Sequence, residues 1–252
     1  MFYERQPLEI TSDMIKQAFE HAKDDFPNEA CGVFTLSCGY VRCKNVAEKP
    51  TRDFTMLEYR RIAANEDDVL AIFHSHTNGR NSPTAEDMRY QISTAKPWGI
   101  AVLDDITGVK DCFFWGSSNI PRLLGRQYRS GVSDCYGLVK DAYKLWYNIF
   151  LPEFPRDDHF WAQGKADYNS LFSQAGFYQI DPKQIKPGDV LFCKQPINHS
   201  AIVLNDKEII HHELNRLSKR DPLARWFRCL NVCLRHVSFK NTDGPPTPPR
   251  LA

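Results

Sequence analysis

The feature that most constrains this chain is His74-Ser75-His76, followed after ten residues by Asp87. Residues i and i+2 of an extended segment share a face, so both imidazoles should project to the same side. A carboxylate from the next element then completes three ligands. Three protein ligands leave the fourth position of a tetrahedral zinc ion open, which is typical of a catalytic site. The sequence therefore predicts Zn²⁺ held by His74, His76 and Asp87.

Such a site also needs a group that carries protons. Zinc lowers the pKa of a coordinated water to about 7, but a base must still accept the proton and return it. Glu29, which lies just before the first predicted strand, is the expected acid/base. We expect the Thr84 hydroxyl to hydrogen-bond the developing oxyanion. Two alternatives remain: the histidines are ordinary residues at a strand end, or the zinc site is retained for structure rather than turnover.

The context of these residues resembles the JAMM (MPN) metalloprotease domain, which has Glu in a P-x-E-x-C-G segment, then H-S-H, then Asp. The resemblance covers roughly residues 8–116. It implies an α/β fold and a zinc-dependent isopeptidase or peptidase activity. It also implies the roles of the ligands and the acid/base: His74, His76, Asp87 and Glu29. Thr84 stands where the family usually has serine, and Thr77 replaces a common proline.

A second candidate site lies in the other half of the chain. Cys135 lies at the N-terminus of a predicted helix over 134–146, and the positive end of a helix dipole favours a thiolate. His199 begins one predicted strand, and His211 lies on the next. A tight turn at residues 205–206 would make these strands antiparallel neighbours and bring the histidines together. The alternative is that Cys135 is a buried structural thiol.

This half resembles the NlpC-type cysteine peptidases, which are papain-like enzymes that cut peptidoglycan stem peptides. The likeness rests on a D-C-x-G-L-V box from Asp134 and a P-G-D-V-L-F strand from Pro187, and it covers roughly residues 120–240. It implies that Cys135 is the nucleophile, His199 the base, and His211 the residue that orients the base. Tyr128 matches an oxyanion-pocket tyrosine, and His212 competes with His211 for the orienting role.

The fold class expected from these halves is an α/β domain followed by a papain-like α+β domain. A turn-rich stretch at 116–119 marks the boundary. We predict a zinc metallopeptidase-like domain over 1–119 and a cysteine peptidase domain over 120–240. Residues 241–252 hold four prolines and few core formers, so we expect a flexible tail.

Composition excludes several classes of protein. A net charge of +1, without a dense basic run, gives no support for nucleic-acid binding. No segment approaches the roughly 18 apolar residues of a membrane span, and the first residues lack a signal peptide, so we expect synthesis in a cytosol without export. The eight cysteines lack paired C-x-x-C motifs. We expect them to be reduced, with all but Cys135 serving as small core residues.

A chain that joins these two domains resembles the tail-tip assembly proteins of long-tailed bacteriophages. That likeness implies phage tail-tip proteins and peptidoglycan stem peptides as partners, with assembly in the host cytoplasm and delivery at the virion tail tip. One hypothesis is a peptidoglycan hydrolase with two peptidase centres. Another is a tail assembly factor whose domains act as binding modules or process a tail protein. A third, a deubiquitinase-like isopeptidase, fits only the first half.

Overall fold

The computed structural model describes residues 9–104, 108–157, 160, 168–193 and 198–249. The chain divides into two compact units, with the division between Asn119 and Ile120. That position is the end of the turn-rich stretch from which the sequence predicts a boundary. None of the helices formed by the described residues has the length and apolar character needed to cross a bilayer.

Unit 1, the N-terminal unit, is built on a mixed sheet. Its elements are α1 (Ser12–Asp25), β1 (Cys31–Thr35), β2 (Gly39–Cys43), α2 (Tyr59–Ile62), β3 (Val69–His76), α3 (Ala85–Thr94), β4 (Trp98–Asp104) and β5 (Gly108–Trp115). The described strands run in the order β2-β1-β3-β4-β5. Strands β3 and β4 are parallel, and the other neighbours are antiparallel. Because a parallel pair needs a crossover, α3 follows β3 directly and returns the chain to β4.

Helix α1 closes one face of this sheet. Thr11 caps it, since its side chain accepts a hydrogen bond from the Met14 amide. Buried Ala18 and Ala22 then pack with Phe34 and Phe73 of the sheet in one core cluster. The helical spacing of Met14, Ala18 and Ala22 in the sequence predicts a helix over residues 12–25, and the structure confirms it.

Unit 2, the C-terminal unit, is an antiparallel sheet with a helix on it. Its elements are α4 (Cys135–Tyr147), α5 (Tyr168–Gln174), β6 (Phe177–Ile180), β7 (Val190–Cys193), β8 (His199–Val203), β9 (Glu208–His211), β10 (Lys219–Pro222), α6 (Leu223–Trp226) and β11 (Leu230–His236). The described strands run in the order β10-β9-β8-β7-β11-β6. Helix α4 packs against β8, and Leu138 and Val139 share a core with Ile202 and Ile210. The predicted fold class is confirmed.

Two elements of unit 2 differ from the sequence prediction. Strand β10 has the sequence Lys-Arg-Asp-Pro, so it lacks the apolar alternation by which strands are recognised. It forms because its backbone pairs with β9 at the edge of the sheet. The sequence predicts a strand over 226–234, but Trp226 ends α6 and the strand begins at Leu230. Pro222 is the N-cap of this helix, and burial of Leu223 and Trp226 in a core cluster holds the helix in place.

The described part of the predicted tail is packed against unit 2. The Tyr147 hydroxyl donates a hydrogen bond of 3.0 Å to the Pro246 carbonyl oxygen, and Pro245 and Pro248 are buried. The prediction of a flexible tail is therefore wrong for residues 241–249. Pro245 and Pro248 of this segment pack on unit 2, and the composition of the segment alone does not indicate this contact. The rest of the predicted tail, 250–252, lies outside the described residues.

Two expectations about cysteines are wrong. Cys193, at the end of β7, and Cys229, after α6, form a disulfide across 36 residues of sequence, with Cα atoms 5.3 Å apart. Their pairing follows from the strand order, because β7 lies beside β11. Cys38 is exposed in the turn between β1 and β2 rather than buried in a core.

Candidate metal centre and cysteine site

The end of β3 and the start of α3 bring the three predicted ligands together. The Nε2 atoms of His74 and His76 lie 3.2 Å apart. Asp87 Oδ1 is 3.4 Å from His74 Nε2, and Asp87 Oδ2 is 3.4 Å from His76 Nε2. All three side chains are buried. Strand alternation places both imidazoles on one face, as the sequence predicts.

These distances fit a zinc ion. With zinc–ligand bonds of 2.0–2.1 Å, ligand atoms at the corners of a tetrahedron lie about 3.4 Å apart. His76 Nδ1 lies 3.0 Å from the Arg80 carbonyl oxygen, which can only accept a hydrogen bond. The ring proton of His76 is therefore on Nδ1, and the Nε2 lone pair faces the other ligands. The His74 ring is held by stacking on Phe54, with ring centroids 4.5 Å apart.

A capping box at the start of α3 fixes the carboxylate ligand. Thr84 is the N-cap, and its Oγ1 accepts a hydrogen bond of 3.0 Å from the Asp87 amide. In return, Asp87 Oδ2 accepts a bond of 2.7 Å from the Thr84 amide. The first of these bonds uses a lone pair of the Thr84 hydroxyl and not its proton. Thr84 thus holds the Asp87 carboxylate in place, and this bond leaves the proton of its hydroxyl unused.

Glu29, the predicted acid/base, is a buried carboxyl group beside these ligands. Burial raises its pKa to about 7, since His76 offsets only part of the cost of desolvation. A group with a pKa near the working pH can both accept and release a proton. The electrostatics of Glu29 therefore suit the role that the sequence predicts for it.

Sequence reasoning missed the residues that hold Glu29 in place. The Ser75 hydroxyl accepts a hydrogen bond of 2.9 Å from the Ala30 amide, next to Glu29. Asn45 Nδ2 donates a bond of 2.8 Å to the Glu29 carbonyl oxygen. Asn45 also organises the loop that carries Phe54, because its Oδ1 accepts bonds from the amides of two loop residues. The position of Ser75 between the two histidines was the one feature of the sequence that could have indicated its role. Nothing in the sequence around Asn45 indicated the role of that residue.

Cys135 is the first residue of α4, as predicted, and is buried. Asp134 caps this helix by accepting a hydrogen bond of 2.7 Å from the Gly137 amide. The same carboxylate accepts a bond of 2.8 Å from Arg156 Nε, and both side chains are fully buried. The guanidinium also donates to the Gly131 carbonyl oxygen at 2.9 Å. This ion pair, which the sequence does not suggest, ties the loop before Cys135 to the helix that begins with it.

His199 and His211 lie on neighbouring antiparallel strands, β8 and β9, joined by the predicted turn. His199 Nε2 is 2.9 Å from His211 Nδ1. Trp226 packs against both rings, with centroid separations of 5.3 Å to each. The structure therefore brings the predicted base and orienting residue into hydrogen-bond contact. Strand β8, which carries His199, is also the strand against which the helix of Cys135 packs.

Asp221 extends this arrangement and was missed. Its Oδ2 lies 3.0 Å from His211 Nε2. The sole sequence signal was an aspartate ten residues after His211, on a segment that did not look like a strand. Burial lowers the pKa of His199 to about 3, and the coulombic interaction with His211 lowers it further. His199 is therefore neutral near pH 7, so an unprotonated ring nitrogen is present and His199 does not form half of a preformed ion pair.

Tyr128 and His212 flank the same site. Their rings meet edge to face, with centroids 5.3 Å apart. Burial raises the pKa of Tyr128, and the nearby Asp134 and Cys135 raise it further, so its hydroxyl keeps its proton. A protonated hydroxyl near the thiol suits the predicted oxyanion donor. His212 Nε2 lies 3.1 Å from the Arg216 carbonyl oxygen, whereas His211 is the histidine whose ring nitrogen contacts His199.

Two family models match the chain, one for each unit. The model of prokaryotic homologs of the JAB domain matches residues 11–116, and the NlpC/P60 family model matches residues 112–229. Among solved structures, a protein from Desulfitobacterium hafniense is 25% identical, with a TM-score of 0.29 over 37% of this chain and 73% of that one. An NlpC/P60 family protein from Bacillus cereus is 14% identical, with a TM-score of 0.35 over 86% of this chain and 66% of that one.

Two curated relatives align over most of their length. Tail tip assembly protein K of Escherichia phage lambda is 33% identical over 182 residues, which are 71% of this chain and 87% of the relative. Tail tip assembly protein K of Escherichia phage N15 is 29% identical over 237 residues, which are 89% and 93% of the two chains. With a JAB-like unit followed by an NlpC/P60 unit, the chain belongs to the family of phage tail tip assembly proteins represented by protein K.

Proposed function

We propose that this chain acts in tail-tip assembly and carries a cysteine peptidase that cleaves peptidoglycan stem peptides. The observation that carries the proposal is the contact of 2.9 Å between His199 and His211, together with the packing of the helix that Cys135 begins against the strand of His199. The NlpC/P60 match over the same unit supports a hydrolase of this class. In this proposal Cys135 is the nucleophile, His199 is the base, and His211 orients the base.

The proposed reaction follows from the protonation states of these groups. Neutral His199 takes the proton of the Cys135 thiol, and the thiolate attacks the peptide carbonyl carbon. Tyr128 donates a hydrogen bond to the oxyanion. The C–N bond then breaks, and His199 gives its proton to the leaving amine. Water, deprotonated by His199, hydrolyses the thioester, which releases the new carboxylic acid and restores the thiol.

For unit 1 we propose a zinc-dependent peptidase-like centre, held by His74, His76 and Asp87. Zinc, when bound there, supplies Lewis acidity and lowers the pKa of water near it. Glu29 takes a proton from the attacking water and passes it to the leaving amine, and Thr84 donates to the oxyanion. The buried convergence of the ligands and the pKa of Glu29, near 7, support these roles.

We further propose that tail-tip proteins are partners during assembly in the host cytoplasm, and that the protein reaches the cell wall at the virion tail tip. The names of the curated relatives support the first part, since both are tail tip assembly proteins. The peptidase proposed for unit 2 supports the second, because its substrate lies outside the cytoplasm.

The test is incubation of the purified protein with defined muropeptides, with products identified by mass. Wild type should cleave a stem peptide with or without chelator. Cys135→Ala should abolish cleavage, and Cys233→Ala, a buried thiol on β11, is the matched control that should retain it. Cleavage that survives Cys135→Ala but stops with chelator would move the activity to unit 1. No cleavage by wild type, together with normal tail assembly by Cys135→Ala phage, would favour the assembly factor without peptidase activity.

A further inference from the structure

We infer that Asp221 is a positioning residue that selects the tautomers of His211 and His199, and so directs the basic nitrogen of His199 toward the thiol. The inference rests on the function proposed for unit 2. It adds a fourth member to the set formed by Cys135 and the two histidines. The observation behind it is the sequence of two contacts, from Asp221 to His211 and from His211 to His199.

The contacts run in one direction from the carboxylate. Asp221 Oδ2 lies 3.0 Å from His211 Nε2, on one side of the ring. His211 Nδ1, on the other side, lies 2.9 Å from His199 Nε2. His211 is almost fully buried, with 1% of its surface exposed, and Trp226 packs against both rings. The rings therefore have little freedom to exchange these partners.

The proton positions follow from these contacts. An ionised carboxylate can only accept, so His211 Nε2 must carry the proton that is shared with Asp221. The neutral ring of His211 then has a lone pair on Nδ1, so His199 Nε2 must be the donor of the next bond. His199 therefore holds its proton on Nε2, and its Nδ1 is the unprotonated nitrogen that can accept a proton from Cys135.

Without the carboxylate, this order is no longer enforced. His211 can then carry its proton on Nδ1 and donate it to His199 Nε2, which moves the proton of His199 to Nδ1. In that tautomer the nitrogen needed as base is already occupied. Asp221 thus acts on His199 through His211, the ring with which it is in hydrogen-bond contact.

Other charged groups near the two histidines do not provide the same selection. Lys219, which lies 3.3 Å from Asp221, and Glu213, which pairs with Lys219 at 3.1 Å, both act on His211 through their charge. His212 and Lys219 lower the pKa of His199 after burial and His211. Asp221 is the carboxylate in hydrogen-bond contact with the His211 ring among the contacts of the described residues.

The test compares wild type, Asp221→Ala and Glu213→Gln, all with Cys38→Ser because Cys38 is an exposed thiol that would compete for reagent. Glu213→Gln is the matched control, since it removes one negative charge near Lys219 but no contact with His211. Histidine ¹⁵N NMR near pH 7 should show both rings protonated on Nε2 in wild type and in the control. In Asp221→Ala, both rings should populate the Nδ1-protonated tautomer.

Alkylation of Cys135 by iodoacetamide supplies a second readout that needs no substrate. Loss of a charge-assisted hydrogen bond should slow the reaction of Asp221→Ala at least about 10-fold near pH 7, and the control should react like wild type. The inference is overturned if Asp221→Ala keeps the wild-type tautomers, or if Glu213→Gln slows alkylation equally. Failure of muropeptide cleavage with the expected tautomer change would instead overturn the function proposed for unit 2.

Discussion

Replacing Arg156 by methionine should cost unit 2 a large part of its stability. Arg156 and Asp134 are both fully buried. The guanidinium donates to Asp134 from Nε at 2.8 Å, and it also donates to the carbonyl oxygens of Gly131 and Phe154, each at 2.9 Å. Methionine fills part of the space but donates to none of these acceptors. The Asp134 carboxylate would keep two backbone donors, the amides of Gly131 and Gly137, and lose its counter-charge.

The size of the effect follows from the uncompensated charge. Breaking a buried ion pair by removing one partner costs about 3–5 kcal/mol, because the remaining charge stays desolvated. Asn in place of Asp134 still caps a helix but carries no charge. The double variant Arg156→Met/Asp134→Asn should therefore recover at least about 1 kcal/mol of the free energy of unfolding relative to Arg156→Met alone.

The assay must report on unit 2 separately, because the chain has two compact units. Hydrogen exchange measured by mass spectrometry across a urea series follows peptides of each unit in the same sample. Peptides of α4 should lose protection at lower urea in Arg156→Met, and peptides of β3 should be unchanged. A loss below about 1 kcal/mol, or a double variant no more stable than Arg156→Met, would contradict the account of a buried charge left unpaired.

Three further predictions concern the metal, pH and the disulfide. Purified protein should hold about one zinc per chain, and His74→Ala should release it; equal zinc content by elemental analysis would exclude His74 as a ligand. Because the pKa of His199 is lowered in the folded state, the unfolded chain takes up a proton at this residue first as pH falls below about 6.5. Unit 2 should therefore lose stability between about pH 6.5 and pH 3. Urea unfolding at several pH values should show a weaker pH dependence for His199→Gln than for wild type. Removing the disulfide by Cys193→Ser/Cys229→Ser should lower the free energy of unfolding of unit 2 by about 4 kcal/mol, from the chain entropy of its loop; a change near zero under oxidising conditions would show that the bond does not form in solution.

The sequence by itself determined the elements that carry local patterns. Alternation in a strand puts His74 and His76 on one face, and the helix that opens after Pro83-Thr84 places Asp87 in its first turn. The helix predicted over 134–146 carries Cys135 at its N-terminus. Each of these features depends on residues within one or two turns or strands, so spacing along the chain is sufficient to find them.

Only the tertiary structure decided which distant groups complete the site. Arg156 reaches Asp134 from 22 residues away, and Cys193 pairs with Cys229 across 36 residues. Asp221 lies on a strand whose own sequence has no strand pattern. Arg156 is fixed by the buried acceptors that its guanidinium reaches in the folded unit, and Cys193 and Asp221 are fixed by strand order in the assembled sheet. In both cases the stabilising free energy comes from burial and pairing between distant segments rather than from neighbouring residues.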